Sequence, residues 1–158
     1  MTARGDRRVY VPATAAMVRT LAETGELKPA SAVHTVTSWL RREAPGADDE
    51  DLEYTAFAYA AMASLPLLVG GVPRRVVISA DVPGDRVAEH DEGTGADFDG
   101  DVKRKRVAAI HADDSGGAAA VAAALAAEEP DLDAVEANVL DWYAPSELQE
   151  VLAVLSEG

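Results

Sequence analysis

The residues best equipped for chemistry form the run His111-Ala112-Asp113-Asp114. A strand is expected to end here and a helix to begin, the edge at which α/β sheets collect ligands. His111 and Asp113, two residues apart on a strand, point to one side and could share a divalent metal ion or a proton. A metal would need further ligands, for which His34 and Asp81 are the candidates. The competing reading is plainer. An aspartate ahead of a helix is its ordinary cap, and one histidine does not make a centre.

Three other runs invite chemistry. Ser115-Gly116-Gly117 offers free N–H groups to a phosphate, but Asp113 and Asp114 already occupy that electropositive end, and neither GxGxxG nor GxxxxGK[ST] spacing is present. Asp97-Phe98-Asp99-Gly100-Asp101 has the carboxylates of a calcium loop, yet its glycine comes too early and the closing glutamate is missing. Lys103-Arg104-Lys105-Arg106 is the longest run of consecutive basic residues, and it follows acidic ones that would neutralise it. The chain holds no GxSxG elbow and no HExxH pair.

The aromatic residues make a different case. Tyr10-Val11-Pro12-Ala13-Thr14 and Trp142-Tyr143-Ala144-Pro145-Ser146 are each an aromatic strand end, a proline and a hydroxyl that can cap a helix. If the first and last strands pair in parallel, these corners lie side by side. Tyr10, Thr14, Trp142 and Tyr143 would then line a cleft for a small ligand or a partner peptide. The alternative is that the rings are packing anchors with their hydroxyls bonded to backbone.

The elements positioning these groups follow from periodicity. Arg8 to Pro12 reads as a strand, followed by a helix capped by Thr14 with Met17, Val18 and Leu21 inward and stopped by Gly25. Ala30 to Thr37 alternates as a second strand, and Ser38 can cap a short helix. From Asp51 the stripe Leu52, Ala56, Tyr59, Ala60 and Ala63 marks the longest helix. Arg75 to Ala80 is a buried-type strand. Residues 85–101 form an acidic, glycine-rich segment without periodicity, expected to be a mobile loop. Lys103 to Ala112 reads as a strand, followed by an alanine-rich helix. Ala134 to Tyr143 is expected to be a strand, and Leu148, Val151, Leu152 and Leu155 mark a last helix. This order predicts an α/β (α+β) fold, one mixed sheet of about five strands covered by helices, in a single domain over residues 1–158.

The bulk numbers limit function more sharply. The 158 residues carry 28 acidic against 14 basic side chains, a formal charge of −14, and no cysteine. That field repels nucleic acid and anionic membranes and favours cationic partners. Thiol catalysis, thiolate metal sites and disulfides are excluded. Residues 1–8 have no signal-peptide core, and the apolar run 54–72 is broken by Ser64, Pro66 and glycines, so a cytoplasmic location is expected.

Three blocks carry a resemblance: Arg8-Val9-Tyr10-Val11-Pro12-Ala13-Thr14, Arg74-Arg75-Val76-Val77 with Ala80-Asp81-Val82-Pro83, and Trp142-Tyr143-Ala144-Pro145-Ser146-Glu147-Leu148. Together they resemble a family of small actinobacterial proteins of unknown function. The resemblance implies a bacterial cytoplasmic setting and transfers no activity, cofactor or catalytic residue. The expectation is a non-enzymatic binding or interaction module without a cofactor, whose partner is a protein or small molecule. The alternatives are a small metal-assisted enzyme built on His111 and Asp113, and an acidic mimic of nucleic acid.

Overall fold

A computed structural model describes residues 5–156. Residues 1–4 and 157–158 of the expected domain lie outside them, as does half of the N-terminal stretch read for a signal peptide. In chain order the elements are β1 (Asp6–Ala13), α1 (Ala15–Thr24), β2 (Glu26–Leu27), β3 (Val33–His34), α2 (Ser38–Glu43), α3 (Asp49–Ala63), β4 (Val76–Pro83) and β5 (Val87–Glu89). There follow β6 (Gly95–Phe98), β7 (Val102–Lys103), β8 (Val107–Ala112), α4 (Ser115–Ala126), α5 (Leu132–Glu136), β9 (Asp141–Tyr143) and α6 (Leu148–Ser156).

Seven strands form one sheet in the order β5-β6-β3-β1-β4-β8-β9, and β2 pairs with β7 as a separate ribbon. The α/β (α+β) class holds. The strand number rises from five to seven, and every ladder is antiparallel rather than mixed. Central β4 has Val76, Val77, Ile78, Ser79 and Ala80 all buried, as a strand covered on both faces must. Pro12 does not end β1, which continues to Ala13. Its missing N–H is tolerated because the β1–β3 pairing reaches only Tyr10↔His34.

Alternation sorts the sheet residues between two covers. Val9, Val11, Val76, Ile78, Ile110 and Ala112 face α1 and α6, meeting Val18, Leu21, Leu148, Val151 and Leu155 in the largest core cluster. Tyr10 and Val77 face α3, beneath Ala56, Ala60 and Ala61. A third cluster joins Leu68 to Val121 and Ala124 of α4 and Val135 of α5.

Several local expectations change. Residues 85–101, expected as a loop, contain the hairpin β5–β6, which extends the sheet through β3. Its one buried apolar side chain within the strands is Ala96, too small to show as hydrophobic periodicity. The second strand shrinks to Val33–His34, and Thr37 rather than Ser38 caps α2. Arg104–Arg106 forms a 3-10 turn between β7 and β8 in place of a continuous strand. In the 134–143 region Asp131 caps a short helix, leaving only Asp141–Tyr143 extended.

Candidate functional site

Cross-strand register brings some of the sequence-selected residues together and separates others. Tyr10 is paired with His34 and with Ser79, and His111 is paired with Val77 and Trp142. Paired residues share a face, so Tyr10, His34, His111 and Trp142 all lie on the α3 side. Tyr143 falls on the opposite face and packs into the core beneath α6. The parallel neighbouring of the two aromatic corners is overturned: β4 and β8 lie between β1 and β9, and the three antiparallel steps reverse their directions. Their caps differ too. The Thr14 hydroxyl accepts from the Met17 N–H at 3.2 Å, whereas at the second corner Glu147 Oε1, not Ser146, accepts from the Ala144 N–H at 2.8 Å.

The four residues considered for a metal are each engaged separately. Asp113 is fully buried and receives Arg75: Nε donates to Oδ2 at 2.9 Å, Nη2 to Oδ1 at 2.8 Å, and the backbone N–H of Arg75 to Oδ2 at 2.9 Å. Gly117 makes this possible, since a Cβ there would fall 2.1 Å from Asp113 Oδ1. Asp81 receives Arg8 through Nε and Nη2, at 2.7 and 3.1 Å. His34 Nδ1 shares a hydrogen bond of 2.8 Å with Thr94, and His111 Nε2 one of 2.9 Å with Ser79. Among the described residues no three His, Asp or Glu side chains cluster closely enough to hold a metal ion. His111 and Asp113 therefore do not combine as ligands: one turns to the sheet interior and the other is taken by an arginine.

The row beneath α3 is electrostatically quiet. Burial, then the Arg8 charge, pushes the His111 imidazole down to about 4, so it is neutral at physiological pH. Burial, then Glu53, pushes the Tyr10 phenol up to about 12. Ser79 is 2% exposed and out of reach of a substrate, so its bond to His111 is internal structure rather than an activated nucleophile. Phe57 covers the row from α3, with its ring 4.6 Å from that of His111 and 6.1 Å from that of Tyr10.

On the outer side of Phe57 lies the feature that periodicity missed. Between α3 and residues 136–140 runs a groove of about 380 Å³, lined by Tyr54, Phe57, Met62, Val139 and Leu140 with Arg75 at its floor. Tyr54 is 60% exposed, Tyr59 51% and Val139 66%, and Trp142 on neighbouring β9 is 61% exposed. Large apolar side chains clustered in water mark binding surfaces more often than scattered ones do. Tyr59, assigned from the sequence to the buried stripe, instead lines this groove. A second stripe, Tyr54, Ala58, Ala61 and Met62, was the readable signal. Arg75 Nη2 also donates to the Asn138 carbonyl at 2.8 Å, and Nη1 meets Met62 Sδ at 3.9 Å.

Strand β9 forms one edge of the sheet, so its outer side has no strand partner among the described residues. No helix of the described residues is long and apolar enough to cross a membrane. No curated protein and no solved structure matches the chain. A family model matches residues 7–152, and by that match the chain belongs to DUF6912, a family of unknown function.

Proposed function

We propose that the chain is a non-enzymatic interaction module that receives an extended segment of a partner protein along the α3 groove and the open edge of β9. The observation that carries this reading is the exposed set Tyr54, Tyr59, Val139 and Trp142 around a groove with Phe57 and Leu140 on its walls. An added strand satisfies its backbone on a sheet edge and its alternate side chains in adjoining hollows. Charge selects the partner's composition. Glu136 lines the groove and Asp141 follows it on β9, within a chain of net charge −14. Exposed tyrosine faces also attract cations. The occupant is thus a segment mixing apolar residues with Arg or Lys. We take the setting to be the bacterial cytoplasm, supported by the lack of cysteine and by the actinobacterial resemblance.

Selection from a random peptide library displayed on phage tests the reading. The intact chain should enrich basic, apolar sequences, and a Tyr54→Glu/Val139→Glu double variant, folded by circular dichroism, should not. Failure to enrich any sequence, or enrichment of the same sequences by the double variant, overturns the proposal.

A further inference from the structure

A second hollow lies on another part of the molecule, and its chemistry is opposite. About 360 Å³ in volume, it is bounded by Val82, Pro83, Phe98 and the turn 99–101, with Arg86, Lys103, Lys105 and Arg106 around it. The chain has only three lysines, and two of them are here. The lining itself holds four cations against the carboxylates of Asp99 and Asp101, and two of the four, Lys103 and Arg106, are matched by Glu26 and Asp6 outside it, in a chain that carries −14.

The cations are positioned by the fold. Arg86 Nη1 donates to the Asp99 backbone carbonyl at 3.1 Å, which fixes the guanidinium without neutralising it. Gly100, with φ of +130°, keeps the turn close: a Cβ there would stand 3.4 Å from Arg86 Nη1. Arg106 is held by Asp6 at 2.8 Å, and Lys103 is matched by Glu26 on β2. Lys105 has no ion partner among the described residues, and the 3-10 turn Arg104–Arg106 places it beside Arg106.

We propose that this hollow binds a small phosphate ester, its phosphate held by Arg86, Lys105 and Arg106 and its organic part lying against Phe98. Guanidinium and ammonium groups together suit a dianionic, multi-oxygen ligand. The volume falls within the range of small-molecule sites. A long polyanion is disfavoured by the field of a chain whose net charge is −14.

Isothermal titration at low salt with inorganic phosphate, ribose 5-phosphate and AMP tests the site. The expected result is saturable binding of at least one ester below about 1 mM, tighter than inorganic phosphate. Lys105→Ala and Arg86→Gln should each weaken it about tenfold, and Asp101→Asn should strengthen it, with the thermal midpoint of Lys105→Ala unchanged. The proposal fails if no ester saturates, if esters bind no tighter than phosphate, or if Lys105→Ala and Arg86→Gln bind like the parent.

Discussion

The two faces of the sheet use the same strands but are closed by different materials. Under α1 and α6, Val9, Val11, Ile78 and Ile110 meet Leu21, Leu148, Val151 and Leu155, and carbon fills the layer. Under α3, a central stretch presents Ala56, Ala60 and Ala61, and beside Val77 the sheet side chains below include polar ones: Tyr10, Ser79 and His111. Small residues on the covering helix leave room for hydrogen-bonded groups, and Phe57 then stands between that row and the outer groove. One face is consumed by stability. The other keeps aromatic surface available for a partner.

The sharpest way to break this comparison is at Asp113, which pins the segment before β4 to the start of α4. Asp113→Ala leaves Arg75 buried and unpaired, and equilibrium denaturation should show a loss of about 3–5 kcal/mol. On the carbon-filled face, Ile78→Ala should cost about 2–4 kcal/mol through lost burial and a residual cavity. Equal costs for Ile78→Ala and for Ser79→Ala, one residue along the same strand, would contradict the contrast between faces.

The polar face also predicts a pH signature. His111 is neutral in the fold, with a pKa of about 4 against 6.5 in the unfolded chain. Between those values the unfolded chain binds the extra proton, so stability is full above pH 6.5 and falls as pH drops toward 4. Denaturation across that window should lose on the order of 3 kcal/mol from this group. His111→Asn should flatten the slope, leaving the smaller part due to His34, which burial also pushes down. A smaller effect belongs to the first corner, where Thr14→Ala removes the cap of α1 and should cost about 1 kcal/mol.

How much of this was legible in the sequence depended on side-chain size. Strands with large β-branched residues, β1 and β4, and helices with aliphatic stripes, α1 and α6, announce themselves, as does the Thr14 cap. The β5–β6 hairpin does not, because its pairing rests on backbone bonds and on Ala96. The register that sends Tyr143 to one face and Trp142 to the other is set by long-range partners, which no local window contains. The same holds for Arg75, whose burial depends on a carboxylate 38 residues away. The α3 groove was hidden for a related reason: its far wall, Val139 and Leu140, lay in a stretch expected to be strand rather than a turn after α5.

Substitution of the groove itself should have the smallest effect on folding and the largest on binding. Tyr54→Glu with Val139→Glu changes exposed positions, so stability should shift by less than about 1 kcal/mol while peptide recognition is lost. The most direct measurement is a titration of the ¹⁵N-labelled chain with a peptide enriched by the intact protein, followed through its amide resonances. The account predicts saturating shifts at Tyr54, Phe57, Tyr59, Val139 and Asp141 to Tyr143, with the Arg86 and Phe98 to Arg106 region unmoved. Shifts confined to that basic region, or none at the groove while the peptide binds, would contradict it.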